Sequence, residues 1–350
     1  MTYILGWKND DNVFLAANSA TTALGTTPTT NITHSSFGEQ HTINEREVVE
    51  ETMLKLCCVN SKAIVAIAGD INRALEIVKT FKSALKNYAN IKEAFEKAIC
   101  SCGPYSKDTG VGLIMGCTDK GKTKLYSYNS KRANEVFEHD TFTQLGSIKG
   151  VYPTLTEEIV KCFIERKLPG KHMLIAVTAI LQSYGIFDKL MNVGVGGVFF
   201  GLSMNSSGIH WQPDTSYILY SLDFSEKDFI TVIARDGILA VDTSINNTNK
   251  LFANTVNSPF CRPEDLNAIR LKLREFFDTG KSDFYIWLSK KDRLITVVNA
   301  NGKYFSQYMK ISTNGHGYFD IAFSEKLKKI LEAPNRNFDK GLPYRFNWLT

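Results

Sequence analysis

Helical periodicity in this chain comes in pairs. Two adjacent amphipathic stretches follow an opening group of strand patterns; more strands follow, then two further helices, then strands again. A wound parallel sheet places one helix between successive strands, so helix pairs exclude a simple doubly wound fold. They suit two strand layers with a helix pair on each outer face.

The opening strands are predicted over residues 2–8 and 12–19, around a turn at Asn9-Asp10-Asp11. Residues 20–50 are crowded with Thr, Ser, Asn and Gly and are expected to form a long polar surface insertion. MLKLCCV and AIVAIAG read as a hairpin through Asn60-Ser61-Lys62. Asp70 is a good N-cap for a helix whose apolar face carries Ala74, Ile77, Val78 and Phe81, and a second helix is predicted over 91–100. GVGLIMGC and TKLYSYNS flank a turn at Asp119-Lys120-Gly121, and TFTQLGS is a further strand. Helices over 154–167 and 171–184 are split by Leu168-Pro169-Gly170, and the strands GGVFFGLSM and GIHWQ end a first block near residue 212.

Beyond that point the pattern is mostly β, with hairpin signals at Asp236-Gly237 and Asn301-Gly302, one helix over 263–277 and an irregular tail from Ala333. Two units are therefore expected: residues 2–212, and a β-rich C-terminal extension over 213–350 to which the sequence assigns no chemistry.

A formal net charge of +5, without any block of Lys and Arg, gives no reason to expect a nucleic-acid partner. No apolar run approaches the length of a membrane span and no leader pattern opens the chain, so the expected location is cytoplasmic. The seven cysteines are irregularly spaced, which fits reduced thiols, and adjacent Cys57 and Cys58 should face opposite sides of a strand. His34, His41, His139, His172, His210 and His316 have neither metal-helix spacing nor cysteine partners, so no metal is expected. Gly194, Gly196 and Gly197 do not complete a dinucleotide-binding motif, because position 199 is Phe, and no cofactor is expected.

One constellation carries chemistry. Thr2 follows the initiator methionine and is small enough for Met1 to be trimmed, which would leave a free threonine amine at the head of the first strand. An α-amine has a pKa near 8, so about a tenth is free base at neutral pH and can accept the hydroxyl proton of its own residue. A nearby cation would enlarge that share. Lys55, the one charged residue within Met53-Leu54-Lys55-Leu56, is the candidate cation; Gly69, between a strand and the helix opening at Asp70, is the candidate oxyanion donor.

These residues, in this order, resemble a proteasome β subunit or the related peptidase of bacterial ATP-dependent proteases. That family opens with Thr, three residues, then Gly or Ser, as Thr2 to Gly6 does here; Lys55 precedes Gly69 by the family's fourteen residues; AIVAIAGD matches its apolar strand, and a Gly-Ser pair recurs at Gly146-Ser147. The resemblance covers about residues 2–212. It implies an α+β fold, the four-layer αββα sandwich of the N-terminal-nucleophile (Ntn) hydrolases. It also implies a threonine peptidase acting on peptides, with Thr2, Lys55, Gly69, Asn18 and Ser147 at its site. A closed or stacked homo-oligomeric ring, and an ATPase or other protein partner, follow from the same likeness.

The chain departs from the family at three points. Asn18 stands sixteen residues after Thr2, where the family has an aspartate; Asn192 and Val195 replace an aspartate and a serine; and Ile148 follows Gly146-Ser147 in place of glycine. An Asn18 amide would orient Lys55 by accepting its hydrogen bond but would supply no charge. Two rival readings follow: a catalytically inactive structural or partner-binding subunit of the same fold, and an amidase acting on small molecules.

Overall fold

The computed structural model describes residues 2–9, 11–24, 32–38, 40–42, 47–103, 110–188, 190–235, 237–245, 250–258, 268, 271, 281–291, 294–300, 307–313, 319–332 and 345–349. The chain is α+β, built on two antiparallel five-stranded sheets and a third, mixed sheet. The first contains β1 (Tyr3–Asn9), β2 (Asn12–Asn18), β12 (Phe142–Gly146), β13 (Phe199–Asn205) and β14 (Gly208–Trp211), ordered β12-β1-β2-β13-β14. The second contains β7 (Leu56–Asn60), β8 (Ala63–Gly69), β9 (Val111–Asp119), β10 (Lys122–Asn129) and β11 (Ala133–His139), ordered β11-β10-β9-β8-β7.

The two sheets pack face to face through apolar side chains of β1, β2, β8 and β9. Glycine sets their approach. A Cβ on Gly6 would lie 2.7 Å from the Ile114 side chain and 2.8 Å from Leu125, and one on Gly116 would lie 2.9 Å from Val13. Interiors are close-packed, so larger residues at these positions would push the sheets apart.

Helices α1 (Ile71–Ala84) and α2 (Ile91–Ser101) cover the outer face of the second sheet, burying Ala74, Ile77, Val78, Phe81 and Phe95 against Val65, Ile67, Leu113 and Met115. Asp70 caps α1 by accepting the Arg73 N–H at 3.1 Å, and Asn90 caps α2 by accepting the Lys92 N–H at 2.9 Å. Cys57 points into this layer and Cys58 packs on the opposite one, as their adjacency in a strand requires.

Helices α3 (Tyr152–Glu165) and α4 (Gly170–Asp188) cover the outer face of the first sheet. Every residue of α4 from Met173 to Gly185 is buried, because a third sheet lies on its other side. A helix apolar all round belongs in an interior, and here both of its faces are covered.

That third sheet comprises β15 (Thr215–Tyr220), β16 (Lys227–Arg235), β17 (Ile238–Ile245), β18 (Lys250–Asn257), β19 (Phe284–Ser289), β20 (Leu294–Asn299) and β23 (Arg345–Leu349), ordered β18-β17-β16-β15-β19-β20-β23. Tyr217, Leu219, Ile286 and Leu288 face the α4 side, while Ile218, Tyr220, Tyr285 and Trp287 face the opposite side. There they meet the hairpin β21 (Met309–Thr313) and β22 (Phe319–Phe323) and the helix α5 (Glu325–Glu332). Strands covered on both faces read as unbroken apolar runs, and TSYILY and FYIWLS are such runs.

Four expectations change. The polar segment over 20–50 is not wholly a surface excursion. β3 (Ala20–Leu24) pairs with β6 (Glu47–Glu51), β4 (Ile32–His34) pairs with β5 (Gln40–Thr42), and Ser35, Ser36 and Phe37 are buried. Phe37 packs edge-on against Tyr217 at 5.1 Å, so one aromatic ring ties the segment to the third sheet. Strand β11 has no counterpart in the sequence reading, since Glu135 and Glu138 disguise an edge strand. The tail from Ala333 is not irregular throughout, because β23 pairs in parallel with β20. Lys55 lies just before β7 rather than inside a strand, although its carbonyl accepts the Ile67 N–H at 3.0 Å. The helix expected over 263–277, apart from residues 268 and 271, falls outside the described residues, as do Asp236, His316 and the Asn301-Gly302 turn.

None of the described helices is long and apolar enough to cross a membrane.

Candidate active site

Thr2 stands immediately before β1 and is 4% exposed. Its carbonyl accepts the Ser147 N–H at 2.7 Å, continuing the pairing of Tyr3 with Gly146. That contact requires glycine at 146, where φ is +136° and a Cβ would lie 2.0 Å from the Thr2 oxygen. On the other side, the Tyr3 N–H donates to Asn18 Oδ1 at 3.0 Å. The head of β1 is thus held from both neighbouring strands.

A cavity of about 170 Å³ opens beside it. Thr2, Gly69 and Ser147 line it together, with Gly110, Asn129 and Lys131. Three of the five sequence-predicted site residues therefore meet at one cavity although they lie far apart in the chain. Gly69 ends β8 with φ +82°, and a Cβ there would lie 1.9 Å from the Gly110 oxygen. The Gly110 carbonyl in turn accepts the Asp70 N–H at 3.1 Å. Two glycine backbones lie against each other where the strand turns into α1.

Lys55 and Asn18 do not line this cavity; both are fully buried. The Lys55 ammonium donates to the main-chain oxygens of Asn18, at 2.9 Å, and Ala20. The expected contact with the Asn18 side chain is absent. That amide is committed elsewhere: Oδ1 takes the Tyr3 N–H, while Nδ2 donates to Ala20 O at 3.3 Å and Gly196 O at 3.2 Å. Asparagine here satisfies one donor and two acceptors, which a carboxylate cannot do.

Burial pushes the Lys55 ammonium down to about 7, and the negative charge of Glu51 opposes that shift. Glu51 was not among the predicted site residues. Its carboxylate accepts the Ser19 hydroxyl at 3.0 Å, the Ser36 N–H at 2.7 Å and hydroxyl at 2.5 Å, and the Val198 N–H at 2.8 Å. Gly197 makes room for it, since a Cβ at that position would lie 2.3 Å from Glu51 Oε1. The one sequence signal was an acidic residue four before Lys55, just past the segment expected to lie on the surface.

The remaining departures also have places. Val195 is fully buried in the apolar core, so no hydroxyl stands there, and Ile148 packs in the same core. Asn192 belongs to a 3-10 turn over Leu190–Val193, and its side chain is outside those described. Among the described residues, no three His, Cys, Asp or Glu side chains gather closely enough to hold a metal ion.

No family model matches the chain, and no curated protein is significantly similar to it.

Proposed function

We propose that the chain is a threonine-type amide hydrolase of the Ntn class, with an αββα sandwich over residues 2–212 and peptides as substrate. The observation that supports this best is the convergence of Thr2, Gly69 and Ser147 on one cavity, with the buried ammonium of Lys55 against the residues that hold β1. On this reading, removal of Met1 frees the Thr2 amine. The Thr2 hydroxyl then attacks the substrate carbonyl, and the amine accepts the hydroxyl proton and later delivers it to the leaving amine. The Gly69 N–H stabilises the oxyanion. Ser147 orients the amine, and Lys55 tunes it as a cation for the fraction of time it is protonated.

The resemblance further implies a closed or stacked homo-oligomeric ring and an ATPase or other protein partner. The outer surface of α1 and α2 is exposed and open to such contacts. The test of activity is hydrolysis of fluorogenic peptides by the wild type and by Thr2→Ala, with intact mass establishing whether Thr2 is N-terminal. Equal turnover by both, or none by a wild type with free Thr2, removes the reading.

A second reading has its own support. Asn18 and Val195 provide neither the charge nor the hydroxyl of a working site, and burial leaves Lys55 only partly charged at neutral pH. A non-catalytic subunit of the same fold would have these features, and retention of Met1 in the purified protein favours it.

A further inference from the structure

The mouth of the Thr2 cavity is electropositive. Lys131 lines that cavity, and Arg132 lines the adjoining depression formed with Tyr3, Gln144, Ile148 and Pro153. The two hollows share Asn129, Leu145 and Gly146, so a ligand lying across them passes both cations. No acidic residue lines either one among the described residues, and neither Lys131 nor Arg132 is ion-paired among them.

The backbone that carries these cations is clamped. Arg132 N–H donates to Asn129 O at 3.0 Å and Lys131 N–H to Asn129 Oδ1 at 3.0 Å, closing the turn between β10 and β11. Ser130 then fastens the turn to β9, its N–H reaching Val111 O at 3.0 Å and its Oγ accepting the Val111 N–H at 2.8 Å. The Lys131 stem lies across Gly110, close enough that a Cβ at 110 would sit 2.3 Å from its Cε. Gly110 is the residue pressed against Gly69, so the lysine is aimed along the wall that holds the candidate oxyanion donor.

We infer that this site takes an anionic acyl substrate: a peptide with an aspartate or glutamate beside the amide lodged at Thr2, its carboxylate held between Lys131 and Arg132. The inference rests on the hydrolase reading for the chemistry but not for the binding. Two exposed cations on a fixed turn raise affinity for a carboxylate over its amide by about tenfold at low salt, and screening removes most of that.

The experiment is fluorescence anisotropy with dye-labelled tetrapeptides differing only in one Asp, Asn or Lys, bound to the full-length chain carrying Thr2→Ala so that they stay intact. The Asp peptide is expected to bind about tenfold more tightly than the Asn peptide, with the Lys peptide weakest and the difference lost at 0.5 M salt (about a 4 Å Debye length). The double variant Lys131→Met/Arg132→Met, whose replaced side chains are exposed, should bind all three alike and keep its circular dichroism. Equal binding of Asp and Asn peptides, or a preference that survives in the double variant, overturns the inference. Turnover of the same series by the wild type separates the two readings. Acidic binding without hydrolysis keeps the anion site and removes the hydrolase, whereas hydrolysis blind to charge does the reverse.

Discussion

The Lys55 ammonium meets Asn18 at its main-chain oxygen, 2.9 Å away, while the Asn18 side chain turns from the lysine to take the Tyr3 N–H at 3.0 Å. One residue thus serves the candidate cation through its backbone and the head of β1 through its amide. Substitutions at and around this pair separate the two tasks.

Restoring an aspartate is not expected to improve the site. In Asn18→Asp a carboxylate oxygen replaces Nδ2 and faces the carbonyl oxygens of Ala20 and Gly196, so each loses one of its two donors and meets a negative charge instead. Such buried losses cost about 1–3 kcal/mol each. Urea denaturation should place this variant below wild type by roughly 2–4 kcal/mol; a variant as stable as wild type would show that the amide contacts contribute nothing.

Glu51 is expected to act through Lys55. Glu51→Gln keeps the side-chain shape, gives up one acceptor (for the Ser36 or the Val198 N–H) and removes the charge that holds the ammonium up, so the Lys55 pKa falls further below about 7. If the cation assists Thr2, the alkaline limb of the peptide-hydrolysis pH profile moves to lower pH in Glu51→Gln. Glu51→Ala, which strips the acceptor from Ser19, Ser36 and Val198, should in addition lose about 2–4 kcal/mol of stability. A profile that stays in place in both variants assigns Glu51 a structural part alone.

Lys55 itself should leave a signature in stability against pH. Its folded pKa, about 7, lies below the unfolded value of 10.5, so between these limits the unfolded chain binds the extra proton. Stability therefore rises with pH across that window, and the contribution is lost as pH falls toward 7. Lys55→Met removes the linkage. The stability of wild type relative to Lys55→Met should grow from pH 7 to 9.5 by an amount on the order of 3 kcal/mol, measured by urea titration. A constant difference would mean that the lysine is not desolvated.

Gly69→Ala should be severe. It forces a side chain into positive φ and sets Cβ 1.9 Å from the Gly110 oxygen, a backbone atom that cannot step aside. Left-handed strain costs about 1–2 kcal/mol, and the displaced Gly110 carbonyl gives up its bond to Asp70 at the start of α1. Loss of the cavity's ligand binding is expected together with a thermal midpoint a few degrees lower, about 1–2 °C per kcal/mol in a chain of 350 residues. An unchanged midpoint would contradict the close approach of these two glycines.

Much of the architecture was legible in local pattern. The helix pairs, the Asp70 cap, the break at Leu168-Pro169-Gly170 and the opposite facing of Cys57 and Cys58 depend on neighbours within a turn or along one strand, where periodicity and capping chemistry act. Thr2, Lys55 and Gly69 could be picked out for a related reason: a small residue after Met1, a charge in an apolar run and a glycine at a strand-to-helix corner are each locally anomalous.

The one local pointer to Glu51 was an acid four residues before Lys55, just past the polar 20–50 segment. Only when β6 pairs with β3, and Ser36 and Val198 bring their N–H groups to one point, does its carboxylate become a half-buried charge near Lys55. The amide at position 18 did not reveal its task, because its three partners come from residues 3, 20 and 196. Sequence by itself determined which segments pleat or coil and which groups could react. Tertiary structure alone decided which of those groups face one another, because hydrogen bonds and charges act over a few ångströms of space, across any length of chain.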